Sequence, residues 1–148
     1  QEILFGDGFP TPSGLGRLVP AHITPPDEIP DEEFPLVLTT GRLLEHWHTG
    51  AITRRAENLN ALEPEAAVHV SPVDMERLEL DPGETVTVTT RRGTIELAAR
   101  REPNLPEGLV FIPFCFAEAP ANMLTNPALD PFGKIPELKF SAARLEKL

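Results

Sequence analysis

Prolines punctuate this sequence so closely, 17 in 148 residues, that no long helix can run through it. Between them lie short apolar runs of strand length, separated by glycine, proline and aspartate turns. Such a chain has to fold as a mainly β structure with short helices. Its length suits one packed domain with one core.

The first part of the chain stands apart. Pro10, Pro12, Pro20, Pro25, Pro26 and Pro30 rule out both a continuous helix and a central strand up to Phe34. Residues 1–34 are therefore expected as an extended proline-rich lead-in laid over a surface, closing in the acidic run from Asp27 to Glu33. Residues 35–148 are expected to form the folded domain. Leu36–Thr40 reads as a strand ending at Gly41, and Ala67–Val70 as a second. Ser71, Pro72 and Asp74 mark the start of a short helix through Leu78, with Ser71 as N-cap and Pro72 at the first helical position. Glu84–Thr90 and Thr94–Ala98 alternate as two paired strands, with Arg92-Gly93 as the hairpin signal between them. Leu109–Ile112 reads as a fully buried strand that Pro113 ends. A loop-rich stretch with a helical turn at Ala121–Leu124 follows, and Phe140–Leu145 is the last strand. Many short strands with small connectors point to a closed β-barrel.

Composition narrows the partners. A formal net charge of −10 weighs against non-specific binding to nucleic acid or to an anionic membrane. No run is long and apolar enough to span a bilayer, and Gln1–Phe5 lacks the basic region and apolar core of a secretory signal. The single cysteine, Cys115, excludes an internal disulfide framework. It fits a reducing compartment, so the cytoplasm is the expected location, with the periplasm as the alternative. A buried thiol is the favoured role for Cys115 over a nucleophile, because no histidine partner can be read beside it.

Against this acidic background one window concentrates donors. Thr39 to Arg55 holds Arg42, Arg54 and Arg55, His46 and His48, the only tryptophan, Gly41 and Gly50, and several threonines. Paired guanidinium donors fit phosphate oxygens, and glycines let a backbone approach a ligand. The plainer alternative is a solvated face in which the arginines neutralise Glu45 and Glu57. His46-Trp47-His48, if extended, puts two imidazoles on one face, a spacing that suits zinc. Further ligands are not evident, so hydrogen bonding to a polar ligand is favoured over metal, with Trp47 stacking or packing in the core. Asn122, Thr125 and Asn126 offer groups that read the edge of a heterocycle, or simply turn chemistry. Lys134 and Lys139 add positive charge. These residues describe a barrel that binds an anionic, heterocyclic ligand and supply no catalytic group.

Thr40-Gly41-Arg42 through His46-Trp47-His48-Thr49-Gly50 to Thr53-Arg54-Arg55 resembles the signature of the C-terminal cofactor domain of molybdopterin-dependent oxidoreductases. Ile112–Phe116, Ala119–Pro131 and Gly133–Glu137 resemble the formate dehydrogenase alpha subunit more than the nitrate reductases. The resemblance covers about Phe34 to Leu145. It implies a double-psi β-barrel and a bis(molybdopterin guanine dinucleotide) cofactor carrying molybdenum or tungsten. It implies that Thr40, Gly41 and Arg42 meet the pterin or pyrophosphate. Glu45, His46, His48 and Thr49 would line the same cofactor, and Asn122 and Lys139 would reach it from later segments. An open groove lined by Arg42, His46, His48 and Asn122 is expected.

The resemblance also places the metal-ligating cysteine or selenocysteine, the catalytic histidine and arginine, and the iron–sulfur cysteines in earlier domains. This chain alone is therefore expected to be inactive. Its partners would be the remaining domains of a catalytic subunit and electron-transfer subunits. The alternatives are the same domain of a nitrate reductase, or a stand-alone binding or assembly subunit.

Overall fold

The computed structural model describes residues 3–148; Gln1 and Glu2, the first two residues of the expected lead-in, lie outside the described residues. Six strands close into a barrel: β1 (Leu36–Gly41), β2 (Ala67–Val70), β3 (Thr85–Thr90), β4 (Gly93–Arg101), β5 (Leu109–Pro113) and β6 (Ser141–Lys147). Around the barrel they run β1-β5-β2-β4-β3-β6. Two pairs are parallel, β1 with β5 and β2 with β4, and the other four are antiparallel. Two parallel crossovers inside one small closed sheet are the arrangement of a double-psi β-barrel. Closure leaves no strand edge open to a second chain.

Alternation fills the interior. Leu36, Leu38, Val68, Val70, Val86, Val88, Val110, Ile112, Ala143 and Leu145 all point inward and are nearly inaccessible to solvent. The β-branched strands β2, β3 and β5 therefore place one face in the core and the other outside. β5 departs from the expected fully buried strand. Leu109 and Phe111 are half-buried, because the barrel has one interior and every second residue must face out.

Two short helices flank the barrel, α1 (Glu57–Leu62) and α2 (Pro72–Arg77). α2 starts as its sequence dictates, the Ser71 hydroxyl accepting from the Asp74 amide. Asp74 is wholly buried and its carboxylate accepts from Ser71 Oγ at 2.7 Å, Arg77 Nη2 at 2.5 Å and Gly108 N at 2.8 Å. It ties α2 to the turn that launches β5. Neither α1 nor the 3-10 turn Thr53–Arg55 before it is expected from the pattern, which has no apolar stripe there, and neither buries a residue completely.

The β3–β4 turn falls on Arg91-Arg92, one residue before the expected Arg92-Gly93, since Gly93 already pairs with Thr90. Gly93 serves packing instead: a Cβ there would stand 3.2 Å from the Met123 carbonyl oxygen. β4 extends past Ala98 to Arg101 because β2 gives it a second, parallel partner. β6 begins at Ser141 and runs to Lys147, paired on both sides. The chain is exposed from Ile3 to Pro25.

Candidate functional site

β1 and β5 run parallel and end side by side, with Gly41 in register with Pro113. Beyond them the chain diverges into two long connections, residues 42–56 and 114–140, which fold over each other at this rim. The junction is tight. Phe114 N donates to Gly41 O at 3.1 Å, and a Cβ on Gly41 would lie 2.7 Å from the Phe111 ring. Gly50, with φ of 68°, lies equally close to Cys115, whose carbonyl oxygen would be 2.9 Å from a Cβ. Each glycine is needed because another chain segment fills the place of its side chain.

The rim separates structural groups from available ones. Thr40 is buried; its hydroxyl donates to Leu138 O at 2.8 Å, and its carbonyl accepts from Lys139 Nζ at 2.7 Å. An ammonium has three donors, so Lys139 keeps others for a ligand beside Gly41. Arg42 is exposed, stacked over Trp47 at 4.7 Å, and makes no hydrogen bond or ion pair among the described residues. Trp47 is 69% exposed, so it is a platform and not core. His48 is exposed with its ring edge-on to Phe114 at 5.4 Å. Thr49 and Asn122 sit across a cleft of about 180 Å³ floored by Phe114, Cys115, Phe116 and Ala121. Glu45 is half-buried, with no side-chain hydrogen bond among the described residues.

Four sequence expectations change here. The His46–His48 segment is not extended: His48 has φ of 53° and the two rings diverge, so they do not share a metal. His46 is fully buried, its Nε2–H donating to Glu63 O at 2.6 Å and its ring edge-on to Phe116. It therefore does not line an open groove, and it anchors the loop from behind. Nδ1 is then an acceptor with no partner among the described residues. Arg54 is likewise committed. It donates to Glu118 at 2.7 Å and Asn60 at 3.0 Å, and covers the Phe116 ring at 4.5 Å. Only Arg42 and Arg55 of the three arginines remain available, and Arg55 is exposed. Asn126, too, is structural: it is buried and donates to Glu137 at 2.9 Å. No signal in the sequence separates these arginines or these asparagines.

Cys115 is buried and desolvation pushes its thiol up, with nearby Arg54 opposing more weakly. It stays a protonated thiol in the cleft floor, as its sequence position suggested.

A small closed barrel with uncommitted cationic and amide groups at one rim, beside a cleft, has the make-up of a ligand-holding domain. Arg42 and Lys139 offer cationic donors, Thr49 and Asn122 a hydroxyl and an amide, and Glu45 a carboxylate acceptor. The chain belongs to the family described as molydopterin dinucleotide binding domain, whose model matches residues 36–142.

It is 46% identical over 138 residues to "F420-dependent formate dehydrogenase 1 subunit alpha" of Methanococcus maripaludis, covering 93% of this chain and 20% of that protein. It is 42% identical over 147 residues to "F420-dependent formate dehydrogenase subunit alpha" of Methanocaldococcus jannaschii, covering 99% of this chain and 22% of that one. The chain thus spans about a fifth of the length of the curated relatives it matches. Acetylene hydratase from Pelobacter acetylenicus shares the fold, with a TM-score of 0.69 at 23% identity over 78% of this chain and 19% of that one.

Proposed function

We propose that this chain forms part of a formate dehydrogenase and holds a bis(molybdopterin guanine dinucleotide), carrying molybdenum or tungsten, over the reacting centre. The observation that carries the reading is the rim itself. Arg42, His48 and Thr49 follow the end of β1, Asn122 shares a cleft with Thr49, and all four are exposed with no side-chain hydrogen bond among the described residues. Relatives that are formate dehydrogenases by name support the substrate.

Arg42 neutralises pyrophosphate, and Trp47 keeps its guanidinium flat and oriented. Lys139 adds a point charge close to Gly41. Glu45 accepts from a pterin amino group, and Thr49 and Asn122 bond its amide edge. Thr40 and His46 hold the rim in place through Leu138 and Glu63. The bound group supplies a two-electron acceptor for oxidation of formate to carbon dioxide with release of a proton. Further domains or subunits would supply the metal ligand, the iron–sulfur cluster and the path to the electron acceptor, for which the F420-dependent relatives support F420. No helix among the described residues is long and apolar enough to cross a membrane.

The test uses the protein at its native length, with the pterin dinucleotide released and quantified after dialysis. Arg42→Ala should lower retention about tenfold, the loss of one charge-assisted contact. Formate-dependent reduction of F420 without nitrate reduction is expected from the unsubstituted protein. Full retention in Arg42→Ala would sink the site, and nitrate reduction without formate oxidation would sink the substrate.

A further inference from the structure

The two arginines of the β3–β4 turn both reach the lead-in. Arg91 Nη1 and Arg92 Nη1 each donate to one oxygen of Glu28 at 2.5 Å, and the Glu28 side chain is only 10% exposed. Arg91 also pairs with Asp31. The other Asp31 oxygen accepts from the Glu33 and Phe34 amides at 3.0 and 2.8 Å, and the Phe34 ring lies 4.6 Å from the Arg91 guanidinium. Residues 28–34 are thus seated on the barrel, unlike the exposed stretch before them.

Arg92 has a second set of contacts. Its Nε and Nη2 donate to Leu124 O at 3.4 and 3.3 Å. Leu124 closes the 3-10 turn Ala121–Met123, its amide donating to Ala121 O at 3.0 Å. That turn presents Asn122 to the cleft it shares with Thr49. A guanidinium is planar and rigid, so fixing one nitrogen fixes the direction of the others. Glu28 therefore aims the donors that pin Leu124. The lead-in also reaches the far end of the same loop, where Asp27 N donates to the Glu137 carboxylate that holds Asn126.

We infer that Glu28 is a positioning residue for the cofactor rim, acting through Arg92 on the turn that carries Asn122. The inference rests on the reading of Asn122 as a cofactor contact. It makes the seat of the lead-in part of the binding apparatus: a shift of the chain before Glu28 reaches Asn122 through one carboxylate and one guanidinium.

The test compares Glu28→Gln, Asn122→Ala and the double variant in the native-length protein. Amide hydrogen exchange at Met123 and Leu124 reports the turn directly, with no need for cofactor or activity. Glu28→Gln should speed exchange there by about fivefold or more, and leave the amides of β1 and β5 unchanged. Cofactor retention then forms a double-variant cycle: Glu28→Gln should weaken retention when Asn122 is present and have little effect when it is alanine. Unchanged exchange at Met123 and Leu124 overturns the inference, and so does equal loss of cofactor in both backgrounds. Failure of the underlying reading looks different: Asn122→Ala would then keep its cofactor in full while Glu28→Gln still loosens the turn.

Discussion

Gly41 shows how far one residue can be constrained without an unusual backbone. Its φ is not positive; what excludes a side chain is the Phe111 ring, 2.7 Å from where a Cβ would stand. Phe111 is itself held edge-on by His69 at 5.3 Å, so it has little room to retreat. Gly41→Ala should cost about 1–3 kcal/mol by overpacking. A lowered denaturation midpoint at unchanged slope would show it, and an unchanged midpoint would mean that Phe111 moves freely. Arg42 next to it is exposed, makes no hydrogen bond or ion pair among the described residues and rests only on the exposed Trp47 ring, so its substitution should affect ligand retention far more than stability. Both residues were legible in the sequence as a glycine–arginine signature, but the reason for the glycine was not, because Phe111 lies far along the chain and meets it only across the β1–β5 pair.

At the scale of elements, α2 and the turn before β5 depend on a single carboxylate. Asp74 has no exposure and accepts three hydrogen bonds, one from the backbone of Gly108 on a distant segment. Asp74→Ala leaves the Gly108 amide and the half-exposed Arg77 guanidinium without their acceptor, and the loss of a buried hydrogen-bond partner of this kind costs about 1–3 kcal/mol. Urea unfolding should show that fall, and a change below about 1 kcal/mol would mean that water replaces the carboxylate. The helix start was readable from Ser71, Pro72 and Asp74, since capping is local. The second role of Asp74, as the clasp on β5, was not. The final strand shows the same division: its existence was clear, but its extension to Lys147 came from pairing with β3.

The whole molecule carries a pH dependence through His69. Burial holds its pKa below the usual value of 6.5, with Arg100 adding to the effect and Glu102 and Glu63 opposing it. The neutral ring is favoured in the folded barrel, so the unfolded chain takes up the proton first on acidification. The stability this contributes is complete above the unfolded pKa and is lost as the pH falls from there through the folded one. Denaturation midpoints should therefore decline below about pH 6.5, before the carboxylates titrate, and His69→Gln should flatten that part of the profile. A flat profile in the unsubstituted protein would show that the imidazole is solvated. A separate acid loss should follow in the carboxylate range. Asp31 is lowered chiefly by the Phe34 amide, and Asp130 by the amides of Ile135 and Gly133, so both contribute stability that disappears as they protonate.

The sequence by itself determined the β class, the helix α2 and most strand positions. These follow from local preferences: proline spacing, period-two alternation and capping. Tertiary structure decided which donors are available. Arg54 and Arg42 are the same residue type in the same window, yet one is consumed by Glu118, Asn60 and Phe116 while the other faces solvent. His46 and His48 divide in the same way, and Glu28 is paired with two arginines far along the chain. Partners remote in sequence leave no local pattern, and in a barrel closed by six interleaved strands most partners are remote.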